Sequence, residues 1–215
     1  MENGKGIDGG SKSAVKEIFS DFVATFRDLP IQLWTFLPID FVFTFAWAVT
    51  EAYFVIYAKE VVWVTAAQWG FATTLVMLVT IVLKPLLARA SDRHGRMKFI
   101  LLCMFLWPVA FLMFAGAGGF QAILVARLLL VVSSSIGDPV WEAMFYDYSP
   151  REYRGRFAAI ASVSWAFIWG AGSVLGGAMY GGGSKQLIFY VSAGLLLVGA
   201  FAAILKVKEP EERAD

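Results

Sequence analysis

The chain is nearly without the residues on which most site chemistry depends. It has one cysteine, Cys103, so no disulfide can form within it and no cysteine-based metal site can be built. Its one histidine, His94, excludes di-histidine metal chemistry and leaves no nucleophile–base set of the usual kind. No Gly-Lys-Ser or Gly-Lys-Thr phosphate loop occurs, which removes ATP-driven chemistry within these residues, and no cofactor is expected. Charge is scarce as well. Only 16% of residues are charged against 59% hydrophobic, where a soluble domain would show about a quarter charged. A net charge of +1 gives no reason to expect nucleic acid as a partner. The start of the chain lacks a basic segment leading into a short apolar core and a small-residue cleavage site, so no secretory leader is expected.

What is abundant is apolar sequence in runs of about 20 residues, the length that crosses a hydrocarbon core of roughly 30 Å. Six such runs fall near 37–58, 66–88, 98–117, 120–145, 156–180 and 187–206, so an all-α integral membrane bundle is expected over 37–206. Residues 1–14 are rich in Gly, Ser and Lys and read as a flexible tail. Residues 15–30 place Val15, Ile18, Phe19, Phe22, Phe26 and Leu29 at helical spacing between charged residues, an amphipathic helix suited to a membrane surface and ended by Pro30. Residues 207–215 read as a charged tail.

The cations are distributed unevenly. Lys84, Arg89, Arg93, Arg96, Lys98, Arg151, Arg154 and Arg156 join those of both tails on one side, while Lys59 and Lys185 stand on the other and Arg127 lies inside a span. Positive charge marks the cytoplasmic side. Both termini are therefore expected in the cytoplasm of a cell-membrane protein, which agrees with an even number of crossings.

Three ordered motifs stand out. Asp92-Arg93-His94-Gly95-Arg96 joins the second and third spans. Asp147-Tyr-Ser-Pro-Arg-Glu-Tyr-Arg-Gly-Arg156 leads into the fifth span, and Gly172-Ser-Val-Leu-Gly176-Gly177 lies within it. With Arg127 in the fourth span, this ordered set resembles the major facilitator superfamily of secondary transporters. The resemblance covers residues 15–210. Two departures are present: Ala88 stands where the family loop usually has Gly, and Ser173 where the fifth-span motif has Pro, so the proton-antiporter subtype is not implied.

The resemblance implies a small-solute carrier working by alternating access. Family members usually have twelve spans in two halves joined by a cytoplasmic linker, so the chain resembles one half, more closely the C-terminal one. An N-terminal half that ends within the linker would carry charges at its end too, and the choice stays open. A second six-helix half, as another copy or a separately encoded chain, is the expected partner besides the small-molecule substrate and the bilayer. The competing reading is a non-transporting product or an accessory membrane subunit.

The residues suggest roles. Gly95 permits a tight turn. Asp92, Arg93 and Arg96 form a charged loop, and in the family such loops latch one state of the cycle, with Glu142 and Asp147 as candidate partners here. Ionisable groups inside a span are costly and normally face a cavity or a partner. Glu51 and Arg127 each lie about 10 Å below the same face at 1.5 Å per residue, which makes them candidates either to pair around a substrate or coupling ion or to form a structural ion pair that fixes helix packing. Asp40, Thr44, Trp47 and Glu51 share one face of the first span, and Arg127, Ser134, Asp138 and Glu142 one broad face of the fourth. From these faces Trp47, Ser134 and Asp138 join the binding candidates. Asp40, Lys84 and Glu142 are expected at the interface, reaching water, and Trp63, Trp69 and Trp141 as interfacial anchors. Gly172, Gly176 and Gly177 make a small-residue face on which a neighbouring backbone can pack.

Overall fold

The computed structural model describes residues 30–151 and 153–207, and among these it is built of six helices. They are α1 (Ile31–Glu60), α2 (Ala66–His94), α3 (Arg96–Ala115), α4 (Phe120–Tyr148), α5 (Arg154–Gly182) and α6 (Leu187–Lys206). All six are long and apolar enough to cross a bilayer. The surface helix expected over 15–29 and the tails at 1–14 and 208–215 lie outside the described residues.

The helices overrun the apolar runs that seeded them. α1 has 30 residues, a length of about 45 Å, so its ends extend past a hydrocarbon core of about 30 Å. It starts at Ile31 rather than near 37, directly after Pro30, whose fixed φ and missing N–H suit a helix start. α2 opens on a reciprocal cap: the Gln68 amide N–H donates to Thr65 Oγ1 (3.2 Å) and the Thr65 N–H donates to Gln68 Oε1 (2.9 Å). It stays helical through His94, so the segment expected as a loop is a helix end plus one residue. That residue is Gly95, at φ 95°, which an L side chain rarely adopts.

The contacts define two layers. α2 packs on α4 and α1 packs on α5, and these pairs form a front layer in the order α2, α4, α1, α5, with α1 and α4 touching only lightly. Behind it α3 packs on α4, α6 packs on α1, and α3 and α6 pack on each other. Exchanging α1 with α4, α2 with α5 and α3 with α6 maps this set of pairings onto itself. The bundle is thus two three-helix units of opposite direction.

The core sits where α1, α3 and α6 meet. Phe54 and Phe114 are 4.8 Å apart, Tyr57 and Phe189 5.0 Å, and Phe114 and Phe189 5.2 Å between ring centroids. The buried Tyr57 hydroxyl donates to the Ala115 carbonyl at 2.6 Å, tying the end of α1 to the end of α3. α2 and α5 differ from the rest: 6% and 17% of their apolar windows are buried inside the bundle, against 44% for each other helix. Their exposed side chains, Phe71, Met77, Leu78 and Ile81 on α2 and Val163, Phe167 and Val174 on α5, are apolar surface for lipid or another helix.

Candidate functional site

The front layer is sealed at one end and open at the other. At the sealed end the glycines of α5 lie on the backbone of α1. A Cβ on Gly172 would stand 2.6 Å from the Ala48 Cβ and 3.1 Å from the Phe45 carbonyl oxygen, and one on Gly176 would fall onto the Val49 carbonyl oxygen. Gly177 faces the Tyr53 hydroxyl. Of the three glycines expected to let a backbone approach, Gly172 and Gly176 lie against the backbone of α1, whereas Gly177 meets only the Tyr53 side chain.

Toward the face that carries the Asp92 turn, α1, α4 and α5 diverge around a cleft of about 520 Å³. Asp40, Thr44 and Trp47 line it from α1 and Trp107 from α3. Ser134, Gly137, Asp138, Trp141, Glu142, Phe145 and Tyr146 line it from α4, and Ala158, Ser162, Trp165 and Trp169 from α5. This volume lies within the range of small-molecule sites.

Asp40 is the organising residue. It is 6% exposed, not at the interface as expected. Each carboxylate oxygen accepts one indole N–H, Trp141 Nε1 on Oδ1 at 2.5 Å and Trp165 Nε1 on Oδ2 at 2.5 Å. One side chain thereby ties α1 to α4 and α5 across the cleft. Trp141, expected as an interfacial anchor, instead stacks on Phe36 with centroids 4.4 Å apart. A buried carboxylate needs donors, and these two are neutral. Trp47 packs edge-on against Phe111 at 5.2 Å and Trp107 at 6.1 Å, so it serves the core as well as the cleft wall. Ser134 accepts the Trp107 indole N–H at 3.3 Å. Asp138 pairs with Lys84 of α2 at 3.3 Å, both about half exposed.

Glu51 and Arg127 are not brought together. Arg127 faces α2, where its guanidinium lies 4.0 Å from the Trp69 ring centroid and Nη1 donates to Thr73 Oγ1 at 3.1 Å. Trp69, in the first turn of α2, is thus a partner of Arg127. Glu51 is exposed, and neither residue lines the cleft. The physical reason is that α1 and α4 touch only lightly; matching depth did not make them neighbours.

The charged turn forms a compact network. Arg96 donates to Asp92 Oδ1 from Nε and Nη2, each at 3.2 Å, and its Nη1 pairs with Asp147 at the end of α4. Arg96 and Asp147 are 15% and 5% exposed, so this pair is buried. Arg93 is exposed, and Glu142 lines the cleft instead of joining the network. Among the charged residues of the first-span face, sequence reasoning passed over Asp40. The signal available was depth. Asp40 lies about 14 Å into α1, Trp165 about 16 Å into α5 and Trp141 about 10 Å from the end of α4, so one acceptor and two donors stand at similar distances from one face.

Comparison with known proteins agrees with this architecture. The family model described as Major Facilitator Superfamily matches residues 27–215. An uncharacterized transporter of this type from Bacillus subtilis, YhcA, is 31% identical over 141 residues, covering 66% of this chain and 26% of its own. The siderophore transporter fer7 of Mycosarcoma maydis is 27% identical over 113 residues, covering 53% of this chain and 17% of its own. A bacterial homolog of the human lysosomal transporter Spinster, crystallised in an inward-facing and unoccupied conformation, superposes with a TM-score of 0.69 at 19% identity. That match covers 86% of this chain and 44% of the solved one. The matched regions thus span about a quarter or less of the curated relatives and under half of the solved transporter.

Proposed function

The chain belongs to the Major Facilitator Superfamily, an integral membrane family of transporters, and on that premise we propose that it moves a small solute across a cell membrane by alternating access, as one of two six-helix halves. The observation that carries this reading is the cleft beside Asp40. It lies in the layer α2, α4, α1, α5, with polar groups at depth and the apolar, little-buried α2 and α5 on its flanks. Polar groups are kept inside a membrane segment where they face a cavity or a partner. A second half laid against this layer, as another copy or a separate chain, completes the cavity and covers those flanks. Substrate then sits between the halves near the midplane. In this reading the Asp92 face and both termini lie in the cytoplasm, which the one-sided distribution of Lys and Arg supports.

Within this reading Asp40, Trp47, Ser134, Asp138 and Glu142 contact solute, while Arg96 with Asp92 and Asp147 latches the cytoplasmic face. The packing of Arg127 supports a structural task for it, and the exposed Glu51 remains available to the other half. The test is the mass of the complex extracted into lipid nanodiscs at near-native expression. Two copies, or one copy with a second six-helix chain, is the expected result. A stable single copy of 23.7 kDa would refute the two-half arrangement.

A further inference from the structure

The cleft carries one sign of charge. Asp40, Asp138 and Glu142 line it, and among the described lining residues there is no lysine or arginine. Lys84 reaches Asp138 from α2 and offsets one of the three carboxylates. Asp40 is held by neutral indole donors, and among the described residues no cation pairs with Asp40 or Glu142. Arg127, the basic group within the spans that would have suited an anion, is turned away onto Trp69. An anion in the cleft would add to the charge of Asp40 and Glu142, which no described cation offsets, and a neutral solute would leave that charge uncompensated. A cation gains from both the carboxylates and the indole faces.

The walls further select among cations. Trp141, Trp165 and Trp169 supply broad apolar surface, and among the described residues no group of three or more His, Cys, Asp or Glu could hold a metal ion. A hard inorganic cation requires about six oxygen ligands. We infer that the wall contributed by this chain binds an organic cation, an ammonium-, amidinium- or phosphonium-type charge on an apolar or aromatic body. The charge faces Asp40 and Glu142 and the body lies along the indoles. Calling that cation the transported solute rests on the transport reading; its binding does not.

Equilibrium binding to the full chain in nanodiscs tests this with two probes of similar shape and opposite charge, tetraphenylphosphonium and tetraphenylborate. Saturable binding of the phosphonium, not displaced by the borate, is expected. Glu142→Gln removes a carboxylate that supports no described hydrogen bond and should weaken binding roughly fivefold to tenfold. Lys84→Gln removes the neighbouring positive charge and should tighten it, roughly twofold to fivefold. Asp40→Asn should weaken it at least as much as Glu142→Gln, but this change also disturbs both indole bonds, so the first two variants are the decisive ones. Saturable borate binding, or phosphonium binding indifferent to Glu142→Gln and Lys84→Gln, would overturn the inference. Phosphonium binding without carrier-mediated flux in proteoliposomes that hold the assembled two-half complex would sink the transport reading and leave the cation site standing. Flux of another solute through a chain that binds no phosphonium would do the reverse.

Discussion

Replacing Gly176 with alanine adds one methyl group at the tightest approach in the front layer. The new Cβ would overlap the Val49 carbonyl oxygen and stand 3.0 Å from the Tyr53 ring. The oxygen belongs to helix backbone, which has no rotamer to yield, so α1 and α5 must separate. Overpacking of this kind costs about 1–3 kcal/mol. The gain in helix propensity from Gly to Ala, up to about 1 kcal/mol, opposes it, so the net loss should fall near 1–2 kcal/mol. Gly170→Ala is the internal control: the same helix and the same propensity gain, but no atom within 4 Å of the added Cβ, so it should be neutral or stabilising. Thermal unfolding in one detergent, followed by tryptophan fluorescence and by loss of the monodisperse peak, compares the two. Opposite signs are expected. If Gly176→Ala is as stable as Gly170→Ala, α1 and α5 do not approach this closely, and the sealed end of the cleft loses its basis.

The buried Arg96–Asp147 pair and the exposed Arg96–Asp92 pair should separate in mutant cycles, because Asp92 is 57% exposed and Asp147 5%. Asp147→Asn is expected to cost about 2 kcal/mol or more and Asp92→Asn under about 1; equal costs in denaturant unfolding would contradict the geometry. Arg127→Met removes a cation–π contact and a hydrogen bond to Thr73. It should destabilise by roughly 0.5–2 kcal/mol while leaving ligand affinity unchanged, and a lost binding isotherm in folded protein would return Arg127 to the site. Tyr57→Phe leaves the buried Ala115 carbonyl without its 2.6 Å donor, for a loss of about 1–2 kcal/mol; wild-type stability would show that the bond is not formed.

Much of the fold could be read because membrane helices announce themselves in one dimension. Runs of about 20 apolar residues locate spans without reference to neighbours, and α2 and α6 begin at Ala66 and Leu187, where the runs begin. Local chemistry was legible for the same reason: Gly95 must turn, and Gly172 and Gly176 must accept a close backbone. Pairing between helices is a different kind of information. Helical periodicity assigns a residue to a face, and the rise per residue assigns it a depth. Neither says which helix lies opposite. Glu51 and Arg127 matched in depth but sit on helices that barely touch there. Asp40 looked like an interfacial carboxylate because it lies near the start of its apolar run. The helix in fact extends well beyond that run, and Trp141 and Trp165 close over the residue from two other helices.

The internal repeat ties the two ends of the bundle together. Under the exchange of α1–α3 with α4–α6, the α2–α3 turn corresponds to the α5–α6 connection, and the end of α4 to the end of α1. Arg96 follows the first connection and pairs with Asp147 near the end of α4. Lys185 lies in the second and pairs with Glu60 at the end of α1, at 2.6 Å, where Tyr180 also donates at 3.2 Å. The same device therefore stands at opposite ends of the bundle, but the two copies differ in chemistry. Arg96 is a fork held by two carboxylates and largely buried, whereas Lys185 is a point charge 43% exposed, with its partner 48% exposed. A buried fork keeps its geometry and is little screened, while an exposed ammonium pair weakens with ionic strength. The ion pair beside the Asp92 turn is thus the firmer of the two, while the opposite end is held mainly by the packing of Gly172 and Gly176 on α1. The two ends of this inverted repeat are therefore closed by different means, a buried ion pair at one and glycine packing of α5 on α1 at the other.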